Sequence, residues 1–454
     1  MIAQIIAIVI FVGMFVFIIT EKFERHVVTL ASGALMLVLV FGICLRSPGM
    51  IIDTLNVQSV FRPDFWVSAS ESTASGINWP TIVFFVGMMI MVEGMGEAGF
   101  FRWICLSLAK GVRYRVIPLL FCFMFISAFL SMFIGSITVV LFLATVTIEL
   151  SRLLKFNPIP MIVAEIFCSN LGGAATMSGD PPNIIIGTSL GFTFMDFIEN
   201  SGLIVLICFI AAAAFFWLCF HKELKKSEAE RPADIVCPEP SSAIKNKLAF
   251  AFATFVFLLT VVLLITHAQT HLTVACIGVI SAVVTVLLMA CVYGVSIVKK
   301  IFKSLDYKTV LFFIGLFISV AGLEQTGVLT LLANLIKTVS GGSAHVIIAI
   351  ILILSAVASG LIDNIPFAAT MIPVIQSLAA TTGVPLPTMA WALCLGTDMG
   401  GNATPIGASA NVIGTSISAK NGHPISWGYF CKYCIPGTIM VIMISLICLF
   451  VRYF

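Results

Sequence analysis

Charge is what this chain lacks. Of 454 residues, only 10% are Asp, Glu, Lys or Arg, whereas 60% are hydrophobic and the mean hydropathy is +1.13. A water-soluble fold covers its surface with roughly a quarter charged residues. Soluble domains are therefore excluded, and most of the surface must face lipid or other helices. Short alternating segments of the kind that build barrels are also scarce; apolar runs of about 20 residues recur along the whole length, which predicts helical spans. The net charge of +3 and the scattered basic residues exclude a nucleic-acid partner. The 13 cysteines are dispersed, mostly inside apolar runs, and read as small buried hydrophobes; Cys431 and Cys434 alone have a metal-like or redox-like spacing. Residues 2–20 have neither a preceding basic segment nor a small-residue cleavage site, so a retained first span is expected rather than a removed signal.

One polar stretch stands near the middle, His221 to Lys247, and divides the chain into a first unit (1–220), a cytoplasmic linker (221–246) and a second unit (247–454). The units repeat each other. Thr81-Ile-Val-Phe-Phe-Val-Gly87 aligns with Thr309-Val-Leu-Phe-Phe-Ile-Gly315. The same offset brings Ser131–Ser136 onto Ser359–Asn364, and Gly172-Gly-Ala-Ala-Thr-Met-Ser-Gly-Asp-Pro-Pro-Asn183 onto Gly400-Gly-Asn-Ala-Thr-Pro-Ile-Gly-Ala-Ser-Ala-Asn411.

Basic residues set the orientation of the repeats. Lys299, Lys300, Lys303 and Lys308 mark a cytoplasmic loop, whereas the first-half counterpart, residues 46–78, carries only Arg46 and Arg62. With both termini outside, every basic residue except Arg46, Arg62, Lys337 and Arg452 falls inside, an outcome that requires inverted halves. The expected fold is an all-α polytopic membrane protein of two inverted-topology repeats. Each has about five transmembrane helices, an unwound helix, and a helical pair that leaves and returns on one side, near 116–154 and 344–386. The polar tips Gly135-Ser-Ile-Thr138 and Asp363-Asn-Ile-Pro366 favour re-entrant hairpins over pairs of full spans, since polar backbone at membrane depth survives only beside protein or a water-filled cavity.

The Gly-Gly…Asn segments interrupt apolar runs with helix-breaking residues, freeing backbone N–H and C=O groups. Pro181 and Pro182 suit the first turn of a half-helix, which is expected to run from Ile184. Two such ends from opposite halves would form a polar chamber whose N–H groups hold an anion and whose carbonyls hold Na⁺. Thr176, Ser178, Asn183, Thr404, Ser409 and Asn411 are the candidate solute-binding side chains. The competing reading is that these small residues only let helices pack closely.

Ser136, Thr138, Asp180, Asp363 and Asn364 are the candidates for a coupling ion or proton, with Na⁺ at Asp363 and Asn364, because an intramembrane acid is costly unless paired, protonated or functional. Either aspartate alternatively serves as a helix cap. Asp398 and Glu165 lie on the broken helices; Glu93, Glu97 and Glu324 read as interfacial or paired, and His345 and His423 receive no role. Gly94-x-Gly-x-x-Gly99 lacks a βαβ unit and Gly187-x-Ser-x-Gly191 lacks a strand-to-helix elbow, so neither marks an enzyme. With no nucleophile–base or metal-ligand set, neither catalysis nor a cofactor beyond Na⁺ or H⁺ is expected.

At these motifs the sequence resembles the ion transporter superfamily, which includes arsenite permeases, the pigment-cell P protein, sodium/proton antiporters and divalent anion:sodium symporters. Both Gly-Gly…Asn segments carry the likeness, and the early Glu21…Arg25-His26 also fits. The resemblance implies a homodimer in which a scaffold holds mobile domains that carry solute by an elevator movement. It also implies Asp-Asn at the first hairpin tip, where this chain has Gly135-Ser136; one cation site is thereby neutral, altered or absent. The leading expectation is a multi-pass secondary transporter of the cell membrane, the inner one if the cell is bacterial, that moves a small anion or oxyanion coupled to Na⁺ or H⁺. A sodium/proton antiporter and an uncoupled anion channel are the alternatives.

Overall fold

The computed structural model describes residues 1–20, 22–68, 76–229 and 237–454; Glu21 and part of the polar linker lie outside them. Helices dominate the described residues, and the extended pairing is one isolated bridge, Val67 to Leu272. In the first half, α1 (Ile2–Thr20) turns into α2 (Arg25–Leu35), which continues as wider π-helical turns to Cys44. After the short α3 (Pro48–Leu55) come α4 (Trp79–Ala98), α5 (Phe100–Gly111), α6 (Val116–Ser131), α7 (Ser136–Leu154), α8 (Ile159–Gly173) and α9 (Pro181–Leu190). A single turn, α10 (Phe194–Phe197), leads through π-helical turns into α11 (Leu203–Ala229), so the polar stretch begins as the last turns of that helix.

The second half contains α12 (Lys247–Thr270), α13 (Val274–Tyr293), α14 (Val295–Ser304), α15 (Tyr307–Gln325), α16 (Val328–Ser340), α17 (Ala344–Leu361), α18 (Asn364–Thr382), α19 (Leu386–Gly400), α20 (Ser409–Lys420) and α21 (Trp427–Tyr453). From α4 onward, elements recur at the offset that carries Thr81 onto Thr309, and α7 and α18 match residue for residue. The starts of α4 and α15 are capped alike: Asn78 accepts from Thr81 N and Asp306 from Thr309 N, each at 3.1 Å. Upstream the offset grows, bringing α2 with its π-helical extension onto α13, because α3 and the residues between it and α4 have no equal in the second half.

Among the described residues, eleven helices are long and apolar enough to cross a membrane. They include three of the four hairpin arms but neither broken helix, which explains the difference from ten spans plus two pairs. The packing is consistent with inverted repeats. Helices α4 and α13 run parallel: a Cβ on Gly87 would stand 2.2 Å from Gly278 O, and further along Gly94 faces Thr285. The matching seam joins α15 and α2 in parallel, with Gly315 against Thr29 and Gly322 against Met36. Since α3 is about 12 Å long and cannot cross, α4 starts on the face where α2 ends, held by Ile77 N to Thr54 O (2.8 Å) and the Trp79 ring N–H to Leu55 O (2.9 Å). Thus α2 and its counterpart α13 point in opposite directions.

These seams make one body of α1, α2, α4, α12, α13 and α15, while the hairpins and broken helices pack with α11 and α21 into a second. The two amphipathic helices α5 and α16 connect the bodies. Each follows a left-handed glycine, Gly99 (φ +84°) or Gly327 (φ +76°), and ends at a left-handed pair, Arg113–Tyr114 or Gly341–Gly342. Glu97 pairs with Lys300 at 2.7 Å, as expected for an acid at a span end.

Candidate functional site

Four interruptions converge inside the second body: the tip between α6 and α7, the tip between α17 and α18, and the breaks between α8 and α9 and between α19 and α20. In the first break Gly172 packs directly on the backbone of Ala128, where a Cβ would stand 2.1 Å from its carbonyl oxygen. The half-helix α9 begins at Pro181, upstream of the expected Ile184, because a missing N–H is harmless in a first turn.

Side chains repair the freed backbone at matched positions in both halves. Thr176 Oγ1 donates to Met132 O and Thr404 Oγ1 to Gly360 O, while Ser178 also reaches Met132 O at 3.2 Å. Asn183 donates both amide protons to its own loop, at Gly173 O (2.9 Å) and Thr176 O (3.1 Å). Asn411 does the same at Gly401 O (2.8 Å) and Thr404 O (2.7 Å). In this conformation, four of the six candidate solute-binding residues, Thr176, Asn183, Thr404 and Asn411, therefore brace the broken helices. Ser178 and Ser409 line cavities.

The acids sit where the interruptions meet. Asp180 occupies the N-cap position of α9 but makes no side-chain cap. Its Oδ1 accepts from Ser136 Oγ at the first tip and its Oδ2 from Asn364 Nδ2 at the second, each at 2.8 Å. One carboxylate thus joins both hairpin tips, which places the tips together rather than at opposite membrane faces. Asp363 caps its own helix weakly, accepting from Ile365 N at 3.2 Å. Its Oδ2 also accepts from Arg25 Nη1 at 2.7 Å and Ser409 Oγ at 3.2 Å. Arg25 opens α2 in the other body, so this ion pair crosses between the two bodies. Four of the five candidate coupling residues come together here; the fifth, Thr138, lines the adjacent cavity.

Two neighbouring cavities reach this cluster. One of about 240 Å³ is bordered by Phe85, Glu93, Ser136, Thr138, Ser178 and Asp180. The other, of about 340 Å³, passes Arg25, Asp363 and Ser409 to a mouth formed by Glu24, Asp306 and Lys308. At that mouth Lys308 lies 2.9 Å from Glu24 and holds its carboxyl below the usual carboxylate range. The guanidinium of Arg25 occupies Oδ2 of Asp363, so Na⁺ at Asp363 and Asn364 would share the carboxylate with it or displace it. No cluster of three metal-ligating side chains occurs among the described residues.

Sequence reasoning did not assign a role to Arg25, Asn170 or Asn402. Asn170 Nδ2 bridges Asn402 Oδ1 (2.9 Å) and Asn411 Oδ1 (2.8 Å), joining α8 to the opposite break. A signal was present, since Asn170 and Asp398 correspond at the offset of the repeat; Arg25 belongs to the Glu21…Arg25-His26 likeness, but the repeat points to no partner for it, because the offset changes upstream of α4.

Comparison with known proteins supports the same architecture. Over 453 residues the chain is 32% identical to an uncharacterized transporter of Mycobacterium bovis, covering 99% of both chains. It is 28% identical to the human P protein over 444 aligned residues, 79% of this chain and 52% of that protein, so it spans about half of the P protein's length. Among solved structures, Neisseria gonorrhoeae MtrF, described within a class of antimetabolite efflux pumps, superposes with a TM-score of 0.56 at 11% identity, covering 94% of this chain and 93% of that one. The Alcanivorax borkumensis YdaH transporter gives 0.53 at 15% identity, covering 81% and 84%. These two likenesses concern the fold alone. The family model described as citrate transporter (CitMHS) matches residues 15–396, and with the full-length similarity above it identifies the chain as a membrane transporter belonging to that family.

Proposed function

We propose that the protein is a secondary active transporter that carries a small anion, either an oxyanion or a carboxylate, coupled to Na⁺ or H⁺. The observation that carries this reading is the meeting of both hairpin tips at Asp180, between two unwound segments and beside a cavity. Broken helices around a shared polar point are the arrangement by which transporters expose a site to either side in turn. Arg25 brings a guanidinium, paired with Asp363, to the same place, and the carboxylate class follows from the description of the family model. The body containing the hairpins moves past the body built on the glycine seams, in a homodimer with both chain termini outside and residues 1–220 and 247–454 as the inverted units.

The test is transport by the purified protein in proteoliposomes, with citrate, dicarboxylates, arsenite, sulfate and chloride offered under imposed Na⁺ and pH gradients. A carboxylate or oxyanion should accumulate beyond its equilibrium distribution under one gradient. Downhill flux alone would identify a channel, and Na⁺/H⁺ exchange with no anion moved would identify the antiporter and overturn the proposal.

A further inference from the structure

Between the two broken helices lies a group of buried oxygen atoms with no donor. Asp398, on α19, is fully buried and both of its carboxyl oxygens lack a hydrogen-bond partner. Its neighbour is Asn183 on α9, whose Oδ1 is also buried and unpartnered. Asn183 cannot turn its amide toward Asp398, because both amide protons already hold Gly173 O and Thr176 O. An ionised Asp398 would therefore set acceptor against acceptor in a medium that screens poorly, a costly arrangement.

The opposite half shows how the junction is satisfied. At the offset of the repeat, Asn170 stands where Asp398 stands, and Asn411 where Asn183 stands. Asn411 likewise commits its amide protons to its own loop, and its Oδ1 receives the Asn170 amide at 2.8 Å. The donor that Asn170 supplies permanently can come from Asp398 only as a carboxylic O–H.

We infer that Asp398 is a proton-binding site, holding a proton that it donates to Asn183 Oδ1 and so joining α19 to α9 as Asn170 joins α8 to α20. No basic side chain stands ready to neutralise it. Among the described residues, α8, α9, α17, α18 and α19 carry no Lys or Arg, and Lys432 and Arg452 lie toward the ends of α21. The acidic groups on the elements around α19 are four. Asp180 precedes α9 and adds like charge; Glu165 on α8 is held by Thr147; Asp363, where α17 meets α18, is held by Arg25; Glu199 is exposed. The thiol of Cys394 shares the helix of Asp398 and supplies no positive charge.

Loss of the proton breaks only the O–H bond, leaving a carboxylate on Asp398 and a proton taken up by water. It also leaves two acceptors facing each other across the junction, so proton occupancy is tied to how tightly α9 packs on α19. That link names H⁺ as a coupling ion and rests on the transporter reading; the proton site itself does not.

Infrared spectroscopy of the lipid-reconstituted protein at neutral pH tests the site without any solute. The wild type should show a protonated-carboxyl C=O stretch that shifts in D₂O and is missing from Asp398→Asn. Asn restores the amide donor used in the other half, so this variant should keep the wild-type melting temperature, whereas Asp398→Leu should lower it. Accumulation driven by a pH gradient should be lost in Asp398→Asn. The inference is overturned if the spectra of wild type and Asp398→Asn do not differ in that band, or if Na⁺ at constant pH removes the band, which would make the junction a cation site. A band present while no anion is carried overturns the transport reading and leaves the proton site standing; carried anion with no band does the reverse.

Discussion

At the two hairpin tips the backbone is the same and the chemistry is not. Gly135 has φ −49° and ψ 136°, and Asp363 has φ −50° and ψ 136°. Just before the half-helices, Asp180 (φ −142°, ψ 149°) and Ala408 (φ −142°, ψ 148°) are again superimposable in conformation. Each half supplies one carboxylate to the centre, the first from its broken helix and the second from its hairpin tip. The repeat keeps the places where the chain bends, because bends depend on glycine, proline and side-chain braces present in both halves. It does not keep charge, and two equivalent acids at either level would repel within a few ångströms in a poorly screened interior. The asymmetry separates the tasks: Asp180 holds the two tips together, and Asp363 ties a tip to the other body.

Asp180→Ala breaks this comparison hardest, since it gives the first half the residue that the second has at Ala408. Ser136 and Asn364 lose their common acceptor. Hydrogen bonds to a charged group contribute roughly 1.5–3 kcal/mol each, so losing two should lower initial uptake by about two orders of magnitude or more. Wild-type uptake in a well-folded Asp180→Ala protein would show that joining the tips is irrelevant.

Arg25→Ala tests the second acid. Asp363 has 5% of its side chain exposed and Arg25 31%; breaking a fully buried pair costs about 3–5 kcal/mol, and solvent screening on the arginine side reduces the expectation to roughly 2–3 kcal/mol. Denaturation of the single and double variants forms the check. Asp363→Asn added to Arg25→Ala should recover most of the loss, and additive losses would mean that the two groups do not interact.

The smallest effect is expected at the mouth, where Lys308→Ala removes the exposed partner of Glu24. Melting should shift by no more than about a degree or two. Because Lys308 lowers the Glu24 pKa in the folded protein, the contribution of the pair is present above the ordinary carboxylate range and is lost as pH falls through that lowered value. A Lys308→Ala effect that persists in high salt or below that range would require another role for the lysine.

Much of this architecture was legible in the sequence because the repeat is written in residues that bend or brace the chain. Thr81/Thr309, Thr176/Thr404 and Asn183/Asn411 hold equivalent places for physical reasons that survive divergence. The upstream pairing of α2 with α13 was not legible, since apolar helices in a seam need only small residues at the crossings and α3 with the residues between it and α4 shifts the register. Residue type predicted that Asn183 and Asn411 matter at the breaks. Which way each amide points is a property of the folded loop, and only the structure shows both occupied by backbone carbonyls. Arg25 stands at the start of an apolar span, where sequence alone makes it an interfacial anchor; its reach to Asp363 depends on folding across 338 positions.

The two connecting helices have a mechanical consequence. At about 1.5 Å per residue, α5 and α16 are rods of roughly 18–20 Å, nearly equal in length, and each has left-handed residues at both ends. Under the proposed movement, two rods of nearly equal length hold the bodies at a set distance while one shifts past the other. Both rods are tied: Tyr114 donates to Pro238 O and Lys110 pairs with Glu239, both from the segment that joins the halves, while Lys337 of α16 donates to Thr381 O on α18. As the bodies shift, α5 turns against the segment that joins the halves and α16 against a hairpin arm, so the two rods work against different partners.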